Sequence, residues 1–372
     1  MSESLTAVKR QNAGRPSDGT SDPSDWGQWG QHLRHRVTPI GLRESVKSGG
    51  RKALRWGLSD AHHVTDAWPL LSNLEKVARK RTSKRKSLDS EIATELEVWL
   101  QGLAAREVSR TLGLECVAWS YALVDLTREL PAAPWCELLD QLVDVATDAR
   151  RASSSDDPLV RQWLYGELPL ALSCLFPELE QCQELHEPAS EMLSSALIDL
   201  LDGEGLIHSG AIEIFRPLLA SWTRCESLAR ANGRVCLNEE AQEQYDWMVL
   251  QMLRLCRRDG SQLFSVADEI GDWRKLAQAA LELSGDPQDQ AVASRFFSGR
   301  SKLAERSSKK SLPDAAVCSE WAGIAAMRTS WNRGATALGV IFGQDSVVAE
   351  LSRGAQQIFA GPWDTDVCVD GK

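Results

Sequence analysis

Asp202-Gly203-Glu204-Gly205-Leu206-Ile207-His208 is a glycine-rich acidic loop carrying a histidine, and the periodicity on either side of it decides the fold. An amphipathic run from Ile214 to Arg224 follows it. Then come Gln242-Glu243-Gln244-Tyr245-Asp246-Trp247 and Arg257-Arg258-Asp259-Gly260. Apolar residues in these runs recur every three to four positions, the pattern of a helix with one buried stripe. Asp259-Gly260 is the expected stop of the last helix. A short polar loop between such runs implies antiparallel helix pairs.

The same pattern extends upstream. Glu91–Ala105 places Ile92, Leu96, Trp99, Leu100 and Leu103 on one stripe. Leu114–Leu130 is longer and more apolar, and Pro131-Ala132-Ala133-Pro134 breaks it. Trp135–Ala149 follows. Asp157 reads as an N-cap with Pro158 at the first helical position. Leu159–Phe176, Pro188–Leu201, Ile212–Ala231, Glu239–Arg257 and Asp268–Leu283 continue the series. No fixed repeat length is present, which disfavours a strict helical-repeat array. Residues 88–312 therefore read as helical hairpins curling into an (α/α) toroid-like barrel, and the fold class as mainly α.

The character changes after Pro313. Trp321–Trp331 reads as a strand, as do Thr336–Phe342, Val347–Leu351 and Gln357–Ala360. Asn332-Arg333-Gly334 and Gly343-Gln344-Asp345 supply turns. A short antiparallel segment over 313–372 is marginal alone. It either packs on the helical body or begins a larger β-sandwich, and the second is the expectation. At the other end, residues 1–24 have the composition of a disordered segment. Trp26, Trp29, Trp56 and Trp68 imply short helices draped on the body. Residues 1–87 thus form a basic, partly disordered extension.

Charge sharpens the division. Residues 1–88 hold 17 Lys and Arg against 8 Asp and Glu, and the remainder 25 against 44. A nucleic-acid enzyme should carry its basic face on the folded core, so the acidic body makes nucleic acid an unlikely partner. The basic run at 79–86 reads as a solvated linker. The nine cysteines contain no C-x-x-C pair and sit mostly in apolar runs, as small buried thiols in a reducing compartment do. No apolar leader is visible at the N-terminus and no run is long enough to span a membrane, so the reading is cytoplasmic. No cofactor or metal is expected: 202–205 lacks the Lys-Ser/Thr of a phosphate loop, and Asp202 with Glu204 is too few ligands for calcium.

A helical toroid followed by a β-region resembles the heparinase II/III-like family of polysaccharide lyases. The resembling segments are the 202–208 loop, Arg216-Pro217-Leu218-Leu219 with Trp222-Thr223-Arg224, Gln244-Tyr245-Asp246-Trp247, and Met327–Trp331. The resemblance implies a toroid, a following antiparallel β-sandwich, and β-eliminative cleavage of polysaccharides containing uronic acid. The sequence departs from that pattern by ending inside the β-region and by showing no export signal.

Elimination at a uronic acid needs a group to neutralise the carboxylate, a base for the C5 proton and an acid for the leaving oxygen. His208 and Tyr245 are the candidates for proton transfer, with Arg216 and Arg224 on the carboxylate. Trp222, Trp247, Glu204 and Asn238 are the candidates for sugar contacts. Each has a structural alternative. His208 can cap a helix, and Tyr245 can be a core tyrosine bonded at its tip. The two arginines can pair with nearby acids, and Asn238 can be the N-cap of the helix that follows it. A non-catalytic helical scaffold binding a protein or a glycan is the rival reading of the whole chain.

Overall fold

The structure, a computed structural model, describes residues 23–35, 50–79, 85–151, 156–265, 273–298, 312–332, 334–343, 346–354 and 356–363. Most of the segment expected to be disordered, and the middle of the basic run, lie outside these residues, as does Cys368. The helices are α1 (Pro23–His35), α2 (Trp68–Arg79), α3 (Arg85–Leu103), α4 (Arg110–Leu126), α5 (Ala132–Arg151), α6 (Pro158–Arg161), α7 (Leu168–Leu175), α8 (Glu180–Gln183), α9 (His186–Leu200), α10 (Phe215–Ala231), α11 (Glu239–Arg254), α12 (Trp273–Ser284) and α13 (Pro287–Ser298). A single π-helical turn, Gln162–Glu167, joins α6 to α7.

Local chemistry sets the helix starts. Ser109 accepts from the Leu112 amide, Asp157 from Leu159 and Asn238 from Ala241. Each satisfies a donor that the first turn leaves free. Helix α4 is buried almost all round, consistent with its apolar composition. Trp119, Trp135, Trp163, Trp222, Phe176 and Phe215 fill the centre and are almost wholly removed from solvent.

The N-terminal elements share this core, since Trp29, Leu33, Trp56 and Leu58 belong to the same buried cluster. Two contacts stitch them to α10. The Ala53 carbonyl accepts from Arg224, and Gly57 lies so close to the Arg216 backbone that a Cβ there would sit 2.5 Å from a carbonyl carbon.

Five strands, β1 (Ala316–Ser319), β2 (Ile324–Arg328), β3 (Thr336–Ile341), β4 (Val347–Arg353) and β5 (Gln356–Trp363), form one antiparallel meander in sequence order. The expected strand at Trp321–Trp331 is corrected. Trp321–Gly323 is a turn, because Gly323 adopts a positive φ and hydrogen-bonds across to Phe342. Strand β1, just before it, and helix α13 go unread in the sequence.

One face of the sheet rests on the helical body. Glu350 pairs with Arg257 (2.8 Å) and accepts from the Phe264 amide, and Arg328 donates to the Arg254 carbonyl. Val317, Ile324, Ala326 and Ile341 on that face join the helical core. Burying the side chains of this face gives a small sheet the support it lacks alone.

Candidate functional site

The 202–208 loop is a tight reversal. The Asp202 carboxylate accepts from the amides of Glu204 (2.9 Å) and Leu206 (2.8 Å), and Leu201 bridges to Ile207. Gly205 has φ +76°, and a Cβ on it would lie 2.4 Å from the Met248 nitrogen, so only glycine lets the loop lie against α11. The Glu204 carbonyl accepts from Gln251 of the same helix (2.6 Å). Leu206 and Ile207 plug the core, and His208 emerges exposed.

His208 caps the 3-10 turn Ser209–Ile214. Its Nδ1 accepts from the Gly210 amide at 3.1 Å, which places the proton of the neutral ring on Nε2. The ring meets Trp321 edge-on, with centroids 5.8 Å apart, and the Ser209 amide donates to the Ala322 carbonyl (2.7 Å). The result is a seam where loop, helix α11 and the β1–β2 turn meet. Trp321 (53% exposed) and Trp247 (41%) are two of the largest apolar side chains open to solvent there. Of the expected site residues, Trp247 lies against the loop at Gly205, Glu204 is tied to α11 through its carbonyl, and His208 meets Trp321 beyond the buried Leu206 and Ile207.

The other candidates lie elsewhere. Arg224 is buried in a bidentate pair with Glu167 (2.6 and 2.7 Å). Glu167 also accepts from Ser221 (2.6 Å) and Tyr121 (3.2 Å). Burial pulls the Arg224 pKa down, but Glu167 more than offsets it and the guanidinium stays charged. The Tyr245 hydroxyl pairs with Thr223 at 3.0 Å, and burial pushes its pKa well above the phenol value. Trp222 packs in the same core. Arg216 is buried beneath Trp273, 5.7 Å from the ring centroid, and reaches Cys256 Sγ. Asn238 caps α11 and its amide donates to Ser194.

Trp321 is the residue that sequence reasoning left out of the site. The signal was the Ala322-Gly323 pair after it, which marks a turn and so an outward-pointing indole. Glu167 was also overlooked, although it is the one acid in the apolar run Val160–Leu175.

The fold has known counterparts. The crystal structure of a heparinase III matches with a TM-score of 0.63 at 12% identity, over 91% of this chain and 62% of that one. Heparinase III fits the fold. A heparinase III gene product with methylated lysines matches at 0.50 and 16% identity, over 94% of this chain and 53% of that one. A heparan sulfate lyase HepC mutant from Pedobacter heparinus matches at 0.49 and 13%, over 90% and 59%. This chain therefore spans less than two thirds of the length of these solved lyases. No family model matches the sequence, and no curated protein matches it. Among the described residues, no helix is long and apolar enough to cross a membrane.

Proposed function

We propose that this chain acts on an acidic polysaccharide, as a lyase of heparinase type whose helical hairpins form a toroid. The observation that carries the reading is the fold, which matches heparinase III along nine tenths of the chain. The proposed reaction removes the C5 proton of a uronic acid and breaks the C4–O bond. A C4–C5 double bond forms, and the departing oxygen takes up a proton.

In this reading the seam is where the sugar lies. Trp321 and Trp247 offer stacking faces, Glu204 lies on the rim, and His208 presents Nε2–H to the uronate. Abstraction of a proton by His208 requires Nδ1 to release the Gly210 amide first. Tyr245, Trp222, Arg216 and Arg224 support the site from within. Tyr245 with its raised pKa is a poor base, and Arg224 is already neutralised by Glu167.

A second reading, glycan binding without cleavage, is favoured by one observation. Residues 202–214 and 319–323 contain no lysine or arginine to neutralise a carboxylate. The test is ultraviolet absorbance of unsaturated uronide after incubating the protein with a panel of uronic-acid polymers. His208→Asn keeps an acceptor for the Gly210 amide and removes Nε2. The expected result is a rise in absorbance that His208→Asn abolishes and Tyr245→Phe leaves within about threefold. Absence of product with every polymer, alongside binding lost in Trp321→Ala, would leave the second reading in place of the first.

A further inference from the structure

His62 is a buried imidazole that the proposed reaction does not use, and it reaches the turn that follows His208. The Ser59 amide donates to its Nδ1 (2.9 Å), so the neutral ring holds its proton on Nε2. Nε2 donates to the Glu213 carbonyl at 2.9 Å. Glu213 belongs to the 3-10 turn Ser209–Ile214, at whose start His208 is the cap. His62 is only 5% exposed, so water competes little for either bond. The residue after it, His63, takes a left-handed conformation (φ 55°) that is uncommon for a residue with a Cβ. Val64, next in the chain, is wholly buried, so the backbone is pinned just past the imidazole.

The turn is not self-supporting. A 3-10 turn has poor hydrogen-bond geometry. Gly210, and Ile212 and Ile214 with their β-branches, are weaker helix formers than alanine. Its polar backbone is held from outside by three regions far apart in the chain. The Ser209 amide donates to the Ala322 carbonyl (2.7 Å), the Ile212 carbonyl accepts from the buried Gln262 (2.7 Å), and the Glu213 carbonyl accepts from His62. The segment that bears His62 also runs along the start of α10 as a splint. Its Gly57 lies against the backbone of Arg216 and Pro217, and its Ala53 carbonyl accepts from Arg224. The His208 ring is held through the turn, by the Gly210 amide at 3.1 Å.

We propose that His62 and Gln262 are positioning residues for His208. By fixing the far end of the turn at Ile212 and Glu213, they keep the Gly210 amide aimed at Nδ1 and leave Nε2–H for the sugar. Their role depends on the reading that sets His208 against the substrate. Neither touches substrate: both act by orienting the group that does.

Long-range proton–nitrogen correlation of the imidazoles in the full chain tests this, recorded about two pH units above the ordinary histidine value. His208 is identified by its loss in His208→Asn. In the wild type its ring is expected as the single tautomer protonated at Nε2. His62→Asn keeps an acceptor for the Ser59 amide but is too short to reach Glu213, and the His208 signals should move toward those of an unbonded imidazole, with the circular dichroism unchanged. His62→Gln, whose amide nitrogen takes the place of Nε2, should restore them. Gln262→Met should move them as His62→Asn does, and it decides the matter should His62→Asn fail to fold. In the uronide assay His62→Asn and Gln262→Met should lower kcat at least about tenfold with KM within about threefold, and His62→Gln should recover the rate. A wild-type ring already exchanging between tautomers overturns the proposal. So do His208 signals indifferent to these changes, or moved equally by His62→Asn and His62→Gln. Absence of uronide product while the signals respond as expected removes the lyase reading and upholds the positioning.

Discussion

Glu167 is a charge held without water, and its partners explain why it is tolerated. Arg224 takes both oxygens in a fork, and Ser221 and Tyr121 supply further donors. The π turn at Gln162–Glu167 carries the carboxylate within reach of α10. Such a pair adds little against an apolar replacement of the same shape, but losing one partner strands the other. Glu167→Gln is therefore expected to destabilise by about 3–5 kcal/mol, measured by urea unfolding. Glu167→Leu with Arg224→Met should recover most of that loss. A single change that unfolds no more easily than wild type would show that the pair is not the local anchor. The sequence carried half of this. A lone acid in an apolar run demands a buried cation, and Arg224 is one of three arginines on α10. Which arginine it meets depends on how the helices are phased against each other, which spacing alone does not specify.

The 202–208 loop shows what an element can reveal before its structure is known. Its glycines and acids mark a turn, and the helices on both sides follow from their stripes. The periodicity cannot say which glycine is required. Gly203 has open space around its missing Cβ, whereas Gly205 combines a positive φ with contact against the Trp247–Met248 backbone. Gly205→Ala is expected to cost roughly 2–4 kcal/mol, from the left-handed conformation and overpacking together. It should also weaken glycan binding by lifting the loop from Trp247. Gly203→Ala, the control, should change the melting temperature by less than about 2 °C, on the scale of an unremarkable surface substitution. Equal melting temperatures for the two variants would remove the packing argument. The β1–β2 turn fared worse in the sequence, because the aromatic and apolar residues from Trp321 to Trp331 look like strand. Only the pairing of Ile324 with Ile341 and the positive φ of Gly323 show where the chain reverses.

Taken as a molecule, the chain reads correctly as helical first and β-stranded last, because periodicity changes from 3.6 to 2 near Pro313. The site was less legible, since burial is a property of the assembled body. Tyr245, Arg224 and Trp222 differ from His208 and Trp247 only in which side of their element faces inward.

The assembled body also sets how stability responds to pH. Asp289 on α13 is buried among Asp286, Asp246 and Arg254. Desolvation first, then the charge of Asp286, raises its pKa to about 7, and burial raises that of Asp246 to about 6. A carboxyl raised in the folded state binds a proton there that the unfolded chain has released. Stability from Asp289 is therefore present below about pH 4 and is lost as pH rises through 7, at up to about 1.4 kcal/mol per pH unit.

His62 works in the opposite sense. Its Nδ1 accepts from the Ser59 amide and its Nε2 donates to the Glu213 carbonyl, so protonation breaks a buried bond, and burial lowers its pKa. Its contribution is present above about 6.5 and is lost as pH falls through the lowered value. The His62 gain therefore falls inside the window, about pH 4 to 7, in which Asp289 and Asp246 lose stability, and partly offsets their decline. Asp289→Asn should flatten the decline between about pH 4 and 7 and stabilise at pH 8 by on the order of 2–4 kcal/mol. His62→Gln should steepen the decline just below about pH 6.5, where the histidine no longer offsets it. The measurement is urea unfolding of the three proteins from pH 4 to pH 8. A decline of unchanged slope between about pH 4 and 7 in Asp289→Asn would mean that the carboxyl is charged in the folded protein throughout. In that case Arg254, which pulls the Asp289 pKa down, would outweigh burial where α13 meets α11.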